Sequence, residues 1–330
     1  MTDDGLPLIA GASGEAVRDL QQRLAAAGYD TGDELGFYGG LTEAAVHRFQ
    51  DQRRLLVDGE CGRDTWSAVI EAGFVLGDRL LYLRRPMLRG DDVTDLQLKL
   101  GALGFDADRV DGIFGPRTEQ AVRDFQRNTG LTTDGVCGPD VLSSLGRLGA
   151  MTEGPGQVAG IRERARLASA PRLLQDRRIA IGSLGGLEVP AVALGRSLQA
   201  SGAIISVLDH PDRSTQAAEA NRFEADLYLG LKISNDGTAR ASYYETTGFE
   251  SIGGRRLAEL IAREFPIDVL GAVPVPRGMR LPILRETRMP AVVCLLSSAG
   301  RVVEHHPELA AALTRAIVAW VEEPFDEPPE

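Results

Sequence analysis

The first half of the chain carries one hydrophobic pattern twice. In each copy, apolar residues at i, i+3 and i+7 lie on one face of a helix, and a second and a third short helix follow. The paired positions are 76 residues apart with no gap: Val17/Val93, Leu20/Leu96, Leu24/Leu100, Ala45/Ala121, Val46/Val122 and Phe49/Phe125. This tandem duplication predicts two small all-α bundles, each with three helices around one apolar core.

Polar and glycine positions within the copies predict the helix termini and the hydrogen bonds of the loops. Gly28 and Gly104 follow the first helices, where C-cap glycines are expected. Thr118 is expected at the N-cap or in the first turn of the second helix. We expect Gln50 and Gln126, which follow the paired phenylalanines, to bond a loop backbone through their amides.

Apolar strands alternate with helices in the second half of the chain. The pattern predicts strands at 179–181, 202–208, 225–231, 241–244 and 291–296, and helices at 188–200, 212–224, 251–264 and 307–321. This alternation predicts an α/β domain with a central parallel or mixed sheet covered on both faces. The predicted boundaries are 8–75 and 86–149 for the repeats, 150–177 for a linker, 178–323 for the α/β domain and 324–330 for an acidic tail.

Composition excludes several classes of partner. The 330 residues are 43% hydrophobic and 25% charged, as in an ordinary globular protein. The net charge of -11, from 47 acidic and 36 basic residues, argues against nucleic acid or an anionic membrane as the main partner. No apolar run approaches the roughly 20 residues that span a bilayer. Residues 1–5 are acidic where an export signal would be basic, so we expect a cytoplasmic protein.

The three cysteines predict neither a disulfide framework nor a zinc knuckle. Cys61 and Cys137 occupy equivalent positions in the two copies, so each is expected to pack inside its own repeat. Cys294 lies in an apolar run and is expected in a buried strand. An odd count without C-x-x-C spacing supports this interpretation.

The repeat motifs resemble a known family. Each copy contains Leu-Gln-x-x-Leu, Gly-x-x-Thr-x-x-Ala-Val-x-x-Phe-Gln and Asp-Gly-x-x-Gly, as in the peptidoglycan-binding type 1 domain. The resemblance implies a three-helix module that binds a muropeptide or peptidoglycan. The family's Asp-Gly-x-Phe-Gly turn stands at 111–115, whereas the first copy has Leu-Gly-Phe-Tyr-Gly at 35–39. Asp111, Phe114 and Arg117 are therefore the candidate ligand contacts.

The second half resembles the zinc-dependent N-acetylmuramoyl-L-alanine amidases of type 3. The similarity spans about 178 to 322, and its landmarks are Glu188, the helix at 213–221 followed by Ala-Asp-Leu at 225–227, and Arg-Met-Pro-Ala-Val at 288–292. It implies an α/β fold in which two histidines and a glutamate hold zinc and a second glutamate activates the bound water.

The expected zinc ligands are mostly replaced in this chain. Leu184 and Lys232 stand where the family has its two histidines, and Leu295 stands where it has the catalytic glutamate. Glu188 remains, so a Glu188–Lys232 salt bridge in place of the metal is our hypothesis, and both residues are candidate ligand-binding groups. His210 is the candidate for a displaced ligand. Surface positions are expected for the other histidines, which are His47, His305 and His306.

The order of the parts resembles the CwlM-type family of actinobacteria, and the likeness extends to 54–59, 76–82, 90–93 and 284–290. This resemblance implies a cytoplasmic regulator of peptidoglycan precursor synthesis that needs no cofactor, with MurA as a candidate partner. Family members carry a phosphorylated threonine in a C-terminal tail, whereas residues 322–330 contain no hydroxyl group. We therefore predict a catalytically inactive amidase homologue that binds a muropeptide or precursor. The alternatives are an active zinc-dependent amidase in cell-wall turnover and a plain scaffold.

Overall fold

The computed structural model describes residues 5–149, 157–234 and 237–325. The chain forms two compact units: the first consists of the described residues up to 159 with 246–249, and the second of the remainder. The start of the predicted linker and most of the predicted acidic tail lie outside the described residues. Within the described ranges, no helix combines the length and apolar character that crossing a bilayer requires.

The first unit contains the two predicted three-helix bundles. The helices of the first repeat are α1 (Glu15–Ala26), α2 (Gly40–Gln52) and α3 (Arg63–Ala72), and those of the second are α4 (Asp91–Ala102), α5 (Pro116–Thr129) and α6 (Pro139–Gly149). Each repeat has its own apolar core, built from the paired positions of the sequence pattern. Cys61 and Cys137 are buried in these two cores as free thiols.

The helix ends follow the sequence signals. Gly28 and Gly104 lie two residues beyond α1 and α4 with φ of 88° and 87°, a left-handed conformation that glycine adopts without strain. Thr118 lies in the first turn of α5, and Gly115 is the N-cap residue. The Thr118 hydroxyl accepts a hydrogen bond from the Gln97 amide at 3.2 Å, so this side chain takes part in a buried hydrogen-bond network.

Buried glutamine amides tie the loops of each repeat to its helices, as predicted for Gln50 and Gln126. Gln126 Oε1 accepts from the Gly135 N–H at 2.9 Å, and its Nε2 donates to the Val136 carbonyl at 3.1 Å. Gln50 makes the equivalent bonds in the first repeat. Because each amide satisfies a buried backbone donor and a backbone acceptor, it fixes the path of the loop after the second helix.

The second unit is built around a mixed sheet. The strands of this sheet are β1 (Arg178–Ser183), β2 (Ile204–Leu208), β3 (Leu227–Ile233), β4 (Arg240–Thr246), β5 (Phe249–Glu250), β6 (Val275–Met279) and β7 (Ala291–Leu296). The last residue of β4 and the first of β5 are among the residues that cluster with the first unit. The strand order is β2-β1-β3-β7-β4-β5, and β6 pairs with β4. β1, β2, β3 and β7 are parallel, whereas β4 is antiparallel to β7.

Helices cover both faces of this sheet. They are α7 (Gln157–Ser169), α8 (Glu188–Ala200), α9 (Arg213–Arg222), α10 (Ile252–Glu264), α11 (Ile267–Leu270), α12 (Pro282–Glu286), α13 (Ala299–Glu304) and α14 (His306–Glu322). Helices α8, α10 and α14 cover one face of the sheet and form the main apolar core with it. Helices α9 and α12 cover the opposite face. The main core includes Ile179, Ile181, Leu194, Leu229, Leu231, Leu257, Val292, Cys294, Leu313 and Trp320.

The second unit differs from the prediction at helix α7 and at the short elements β5, β6, α11, α12 and α13. Helix α7 lies in the predicted linker, yet its Glu163 accepts bonds from the Ser251 hydroxyl at 2.7 Å and the Ile252 N–H at 3.2 Å. This helix therefore belongs to the α/β domain and caps the start of α10. The pattern also missed β6, because Pro276 and Gly278 interrupt its apolar alternation.

We expect Gln126→Met to destabilise the second repeat by about 2–3 kcal/mol, because the buried Gly135 N–H loses its acceptor. Urea unfolding of the full chain measures the free energy, and hydrogen exchange of the Gly135 amide localises the effect. Gln120→Met in the same helix is the matched control, since Gln120 is exposed, and it should change stability by less than about 0.5 kcal/mol. Equal exchange in both variants would contradict the proposed role of the amide.

Burial raises the pKa of Cys61, Cys137 and Cys294 to about 12, so none forms a reactive thiolate near neutral pH. We therefore expect the native chain to resist a disulfide reagent such as DTNB at pH 8. After unfolding in guanidinium chloride, all 3 thiols should react with DTNB. Immediate reaction of any thiol in the native protein would show that its repeat or strand opens readily.

Candidate functional site

The carboxyl ends of β1, β3 and β7 lie side by side at one edge of the sheet. The β3–β7 register places Lys232 opposite Leu295. Ser183 pairs with Leu231 in the β1–β3 ladder, and the Leu184 N–H continues it by donating to the Leu231 carbonyl at 2.9 Å. Residues opposite one another on neighbouring strands share a face. Leu184, Lys232 and Leu295 therefore form one row.

A fourth residue extends this row. Strand β4 runs antiparallel to β7 and places Arg240 opposite Leu295. We call Leu184, Lys232, Leu295 and Arg240 the edge row. Arg240 has no sequence signal as a site residue, because only the pairing of β4 with β7 brings it to this position.

In the edge row, Leu295 lies between two cationic residues, Lys232 and Arg240. Leu295 is 8% exposed, and the other three side chains are half-buried. A Cβ atom placed on Gly230 would lie 3.1 Å from Leu184 Cδ1, so the Leu184 side chain lies close over the β3 backbone. Two of the four side chains in the row, Leu184 and Leu295, are therefore hydrophobic and packed against the sheet.

Helix α9 fixes the end of β1 beside the row. The buried Gln216 amide donates to the Ser183 carbonyl at 2.8 Å, and its Oε1 accepts from the Tyr228 hydroxyl at 2.9 Å. Burial raises the pKa of Tyr228 far above its usual range, so this hydroxyl stays protonated and donates. The hydrogen bonds of Gln216 therefore fix the position of the end of β1, next to Leu184.

Glu188, the remaining candidate ligand, begins helix α8 and is exposed. Its Oε1 accepts from the Ser183 hydroxyl at 3.5 Å, which is a long hydrogen bond. Lys232 has an interaction within the protein. The Glu188–Lys232 salt bridge stays a prediction.

The side chains of the edge row do not fit a zinc ion. Leucine has no lone pair to offer a metal, and a protonated lysine has only N–H donors. In the part of the chain that the structure describes, no group of three or more His, Cys, Asp or Glu side chains is placed to hold a metal. His210, the candidate displaced ligand, uses its Nδ1 to accept the Asp212 N–H at 3.0 Å.

The candidate ligand contacts of the second repeat have three different environments. Asp111 is half-buried, and its Oδ1 accepts from the Gln97 amide and the Ile113 N–H, both at 2.8 Å. Phe114 is fully buried in the core, so as a ligand contact it is corrected to a packing residue. Arg117 is exposed. Asp111 thus shapes the turn, and Arg117 is the candidate free to meet a ligand.

The equivalent turn of the first repeat has a different surface. Leu35 and Leu41, which correspond to Asp111 and Arg117, are 59% and 57% exposed, and Phe37 between them is 46% exposed. Tyr38, which corresponds to Phe114, is buried and donates to the Gly59 carbonyl at 2.6 Å. The two repeats therefore share a core and a turn but present opposite surface chemistry there.

Comparison with known proteins found a family model, relatives and solved structures that are similar to parts of this chain. The family model of the peptidoglycan binding domain matches residues 13–69 and 89–145. CwlL, an N-acetylmuramoyl-L-alanine amidase of Bacillus licheniformis, is 33% identical over 43% of this chain and 45% of its own length. The solved structure of the N-acetylmuramoyl-L-alanine amidase AmiC2 of Nostoc punctiforme aligns with a TM-score of 0.36 at 14% identity, covering 47% of this chain and all of that one.

One relative matches across both halves. The protein named N-acetylmuramoyl-L-alanine amidase CwlM of Mycobacterium tuberculosis (strain ATCC 25618 / H37Rv) is 33% identical, and the alignment covers 88% of this chain and 81% of that protein. The alignment is thus long enough to include the repeats and the α/β domain together. The chain belongs to the CwlM family, in which two peptidoglycan-binding repeats precede an α/β domain of the amidase type.

Proposed function

We propose that this protein is a catalytically inactive amidase homologue that acts in the cytoplasm as a binding protein or regulator of peptidoglycan precursor synthesis. The observation that carries the proposal is the edge row. Leu184, Lys232 and Leu295 lie together at three strand ends. The resemblance to the zinc amidases implies two histidine ligands and a catalytic glutamate at these three positions.

The chemistry of these side chains opposes hydrolysis. A zinc amidase relies on the metal to lower the pKa of a bound water to about 7, and on a carboxylate to take the proton. The positive charge of Lys232 would repel the ion, and Leu295 has no group that accepts a proton. Glu188 alone would supply one of the three protein ligands that a catalytic zinc usually has.

Binding remains available to both units. The second repeat presents an exposed Arg117 beside the turn that Asp111 shapes, and an exposed guanidinium suits the carboxylates of a muropeptide or precursor. In this proposal the repeats recognise such a ligand, and MurA is the candidate protein partner for a regulatory role. The free, buried thiols are compatible with a reducing compartment.

The alternative is an active zinc-dependent amidase. It is favoured by the names of the relatives, which are called N-acetylmuramoyl-L-alanine amidases, and by the presence of Glu188. Under this alternative the chain would have to bind zinc through residues other than the edge row. Metal content and hydrolysis therefore separate the two functions.

We expect the purified chain, incubated with zinc chloride and then desalted, to hold far less than one zinc per chain by elemental analysis. The physical reason is that the edge row offers no ligand atoms. The same preparation should release no stem peptides from murein sacculi, and EDTA should leave its melting temperature unchanged. An active amidase assayed in parallel controls for substrate quality. Near-stoichiometric zinc together with peptide release would establish the alternative.

We expect Arg117→Ala to weaken the binding of a soluble muropeptide about tenfold, because one charge-assisted contact is lost. Isothermal titration calorimetry on the full chain measures the dissociation constant. The matched control is Leu41→Ala at the equivalent position of the first repeat, which should change affinity less than twofold. If Leu41→Ala causes the larger loss, the first repeat and not the second carries the ligand.

A further inference from the structure

We infer that the edge row is a binding site for an anionic group, which it holds between Lys232 and Arg240 and above Leu295. The inference rests on the proposed function, because a zinc amidase would need these strand ends for metal ligands. It adds a ligand chemistry to that function: phosphate or carboxylate oxygens of a cell-wall precursor or fragment.

Strand register supplies the geometry. Lys232 and Arg240 both lie opposite Leu295, on the two strands that flank β7. Neighbouring strands are about 4.8 Å apart, so the two Cα atoms are separated by about 10 Å. Lysine and arginine side chains on one face can reach across that gap towards a common ligand. The spacing suits a diphosphate or a pair of carboxylates better than a single small ion.

The donors of the two cations match this ligand class. An ammonium group carries three N–H donors, and a guanidinium carries five in a planar fork that fits phosphate or carboxylate oxygens. Lys232 and Arg240 each have an interaction within the protein. With several donors apiece, each can keep that interaction and bind an external anion in addition.

The surroundings strengthen the attraction. Leu295 is nearly buried and Leu184 is half-buried, so two apolar side chains adjoin the cations and lower the local dielectric. The row itself contains two positive charges and no negative one, whereas Glu188 lies at the start of α8 after β1. Lys232 and Arg240 therefore favour an anion on the side of the row away from that carboxylate.

The position in the sheet is also one where ligands bind. The chain leaves β1 for β2 on one side and returns through α9 to β3 on the other, so the strand order reverses at β1. Open α/β sheets bind ligands outside the carboxyl ends of their strands at such a switch point. Leu184 and Lys232 stand at this point, and Arg240 extends the site towards β4.

Calorimetric titration of the full chain with two probes tests the site and distinguishes the source of the anion. Inorganic pyrophosphate represents the phosphates of a nucleotide-linked precursor, and a free stem tripeptide represents the carboxylates of a fragment. We expect one probe to bind, and Lys232→Met or Arg240→Met to weaken its binding about tenfold. Lys232→Arg should restore most of the affinity, and higher salt should weaken binding in the wild type more than in the Met variants.

The control is Arg222→Met on α9, whose side chain is 74% exposed and which should change affinity less than twofold. Circular dichroism melting checks that each variant folds. If Lys232→Met does not fold, Arg240→Met and Lys232→Arg still test whether the two cations bind the probe. The inference is overturned if neither probe binds, or if both Met variants fold and bind as tightly as the wild type. Either result leaves the proposed function standing as long as the chain holds no zinc and releases no peptide.

Discussion

Hydrogen bonds from β3 to β1 and β7 hold three strand ends level at one edge of the sheet. Because the register pairs Lys232 with Leu295 and sets Leu184 beside them, three residues far apart in the chain become neighbours on one face. The antiparallel β4 adds Arg240 to the same line. The chemistry of these strand ends depends on this alignment, since a shift by one residue would turn these side chains to the opposite face.

The alignment explains how a fold can persist while its chemistry changes. The framework of the row is made by backbone hydrogen bonds and by the apolar core on the other face, and neither requires a particular side chain in the row. A histidine or glutamate there would favour a metal cation, whereas Lys232 and Arg240 favour an anion. The sign of the charge at one edge can therefore reverse at little cost to the sheet that carries it.

The repeats separate framework from surface in the same way. Buried glutamine amides bond the loop backbones in both copies, so the turns keep their path while exposed residues differ. Leu41 and Arg117 occupy equivalent positions on that shared framework. This division lets one repeat present an exposed arginine where the other presents an exposed leucine.

The duplication, the helices of both repeats and the main strands of the α/β domain can all be read from the amino-acid sequence, as can the positions of Leu184, Lys232 and Leu295 at or just after strand ends. These features rest on local periodicity and on matched spacing, which a linear pattern records directly. The glutamine networks were also predictable, because an amide after a buried phenylalanine recurs in both copies.

Contacts between distant parts of the chain became clear from the three-dimensional fold alone. Arg240 joined the site through strand pairing, and Phe114 proved to be a core residue because its turn folds inward. Helix α7 lies in the predicted linker, but the hydrogen bond between Glu163 and Ser251 joins it to the start of α10. In each case the deciding interaction joins parts of the chain that are not neighbours in sequence, and periodicity carries no information about such long-range pairing.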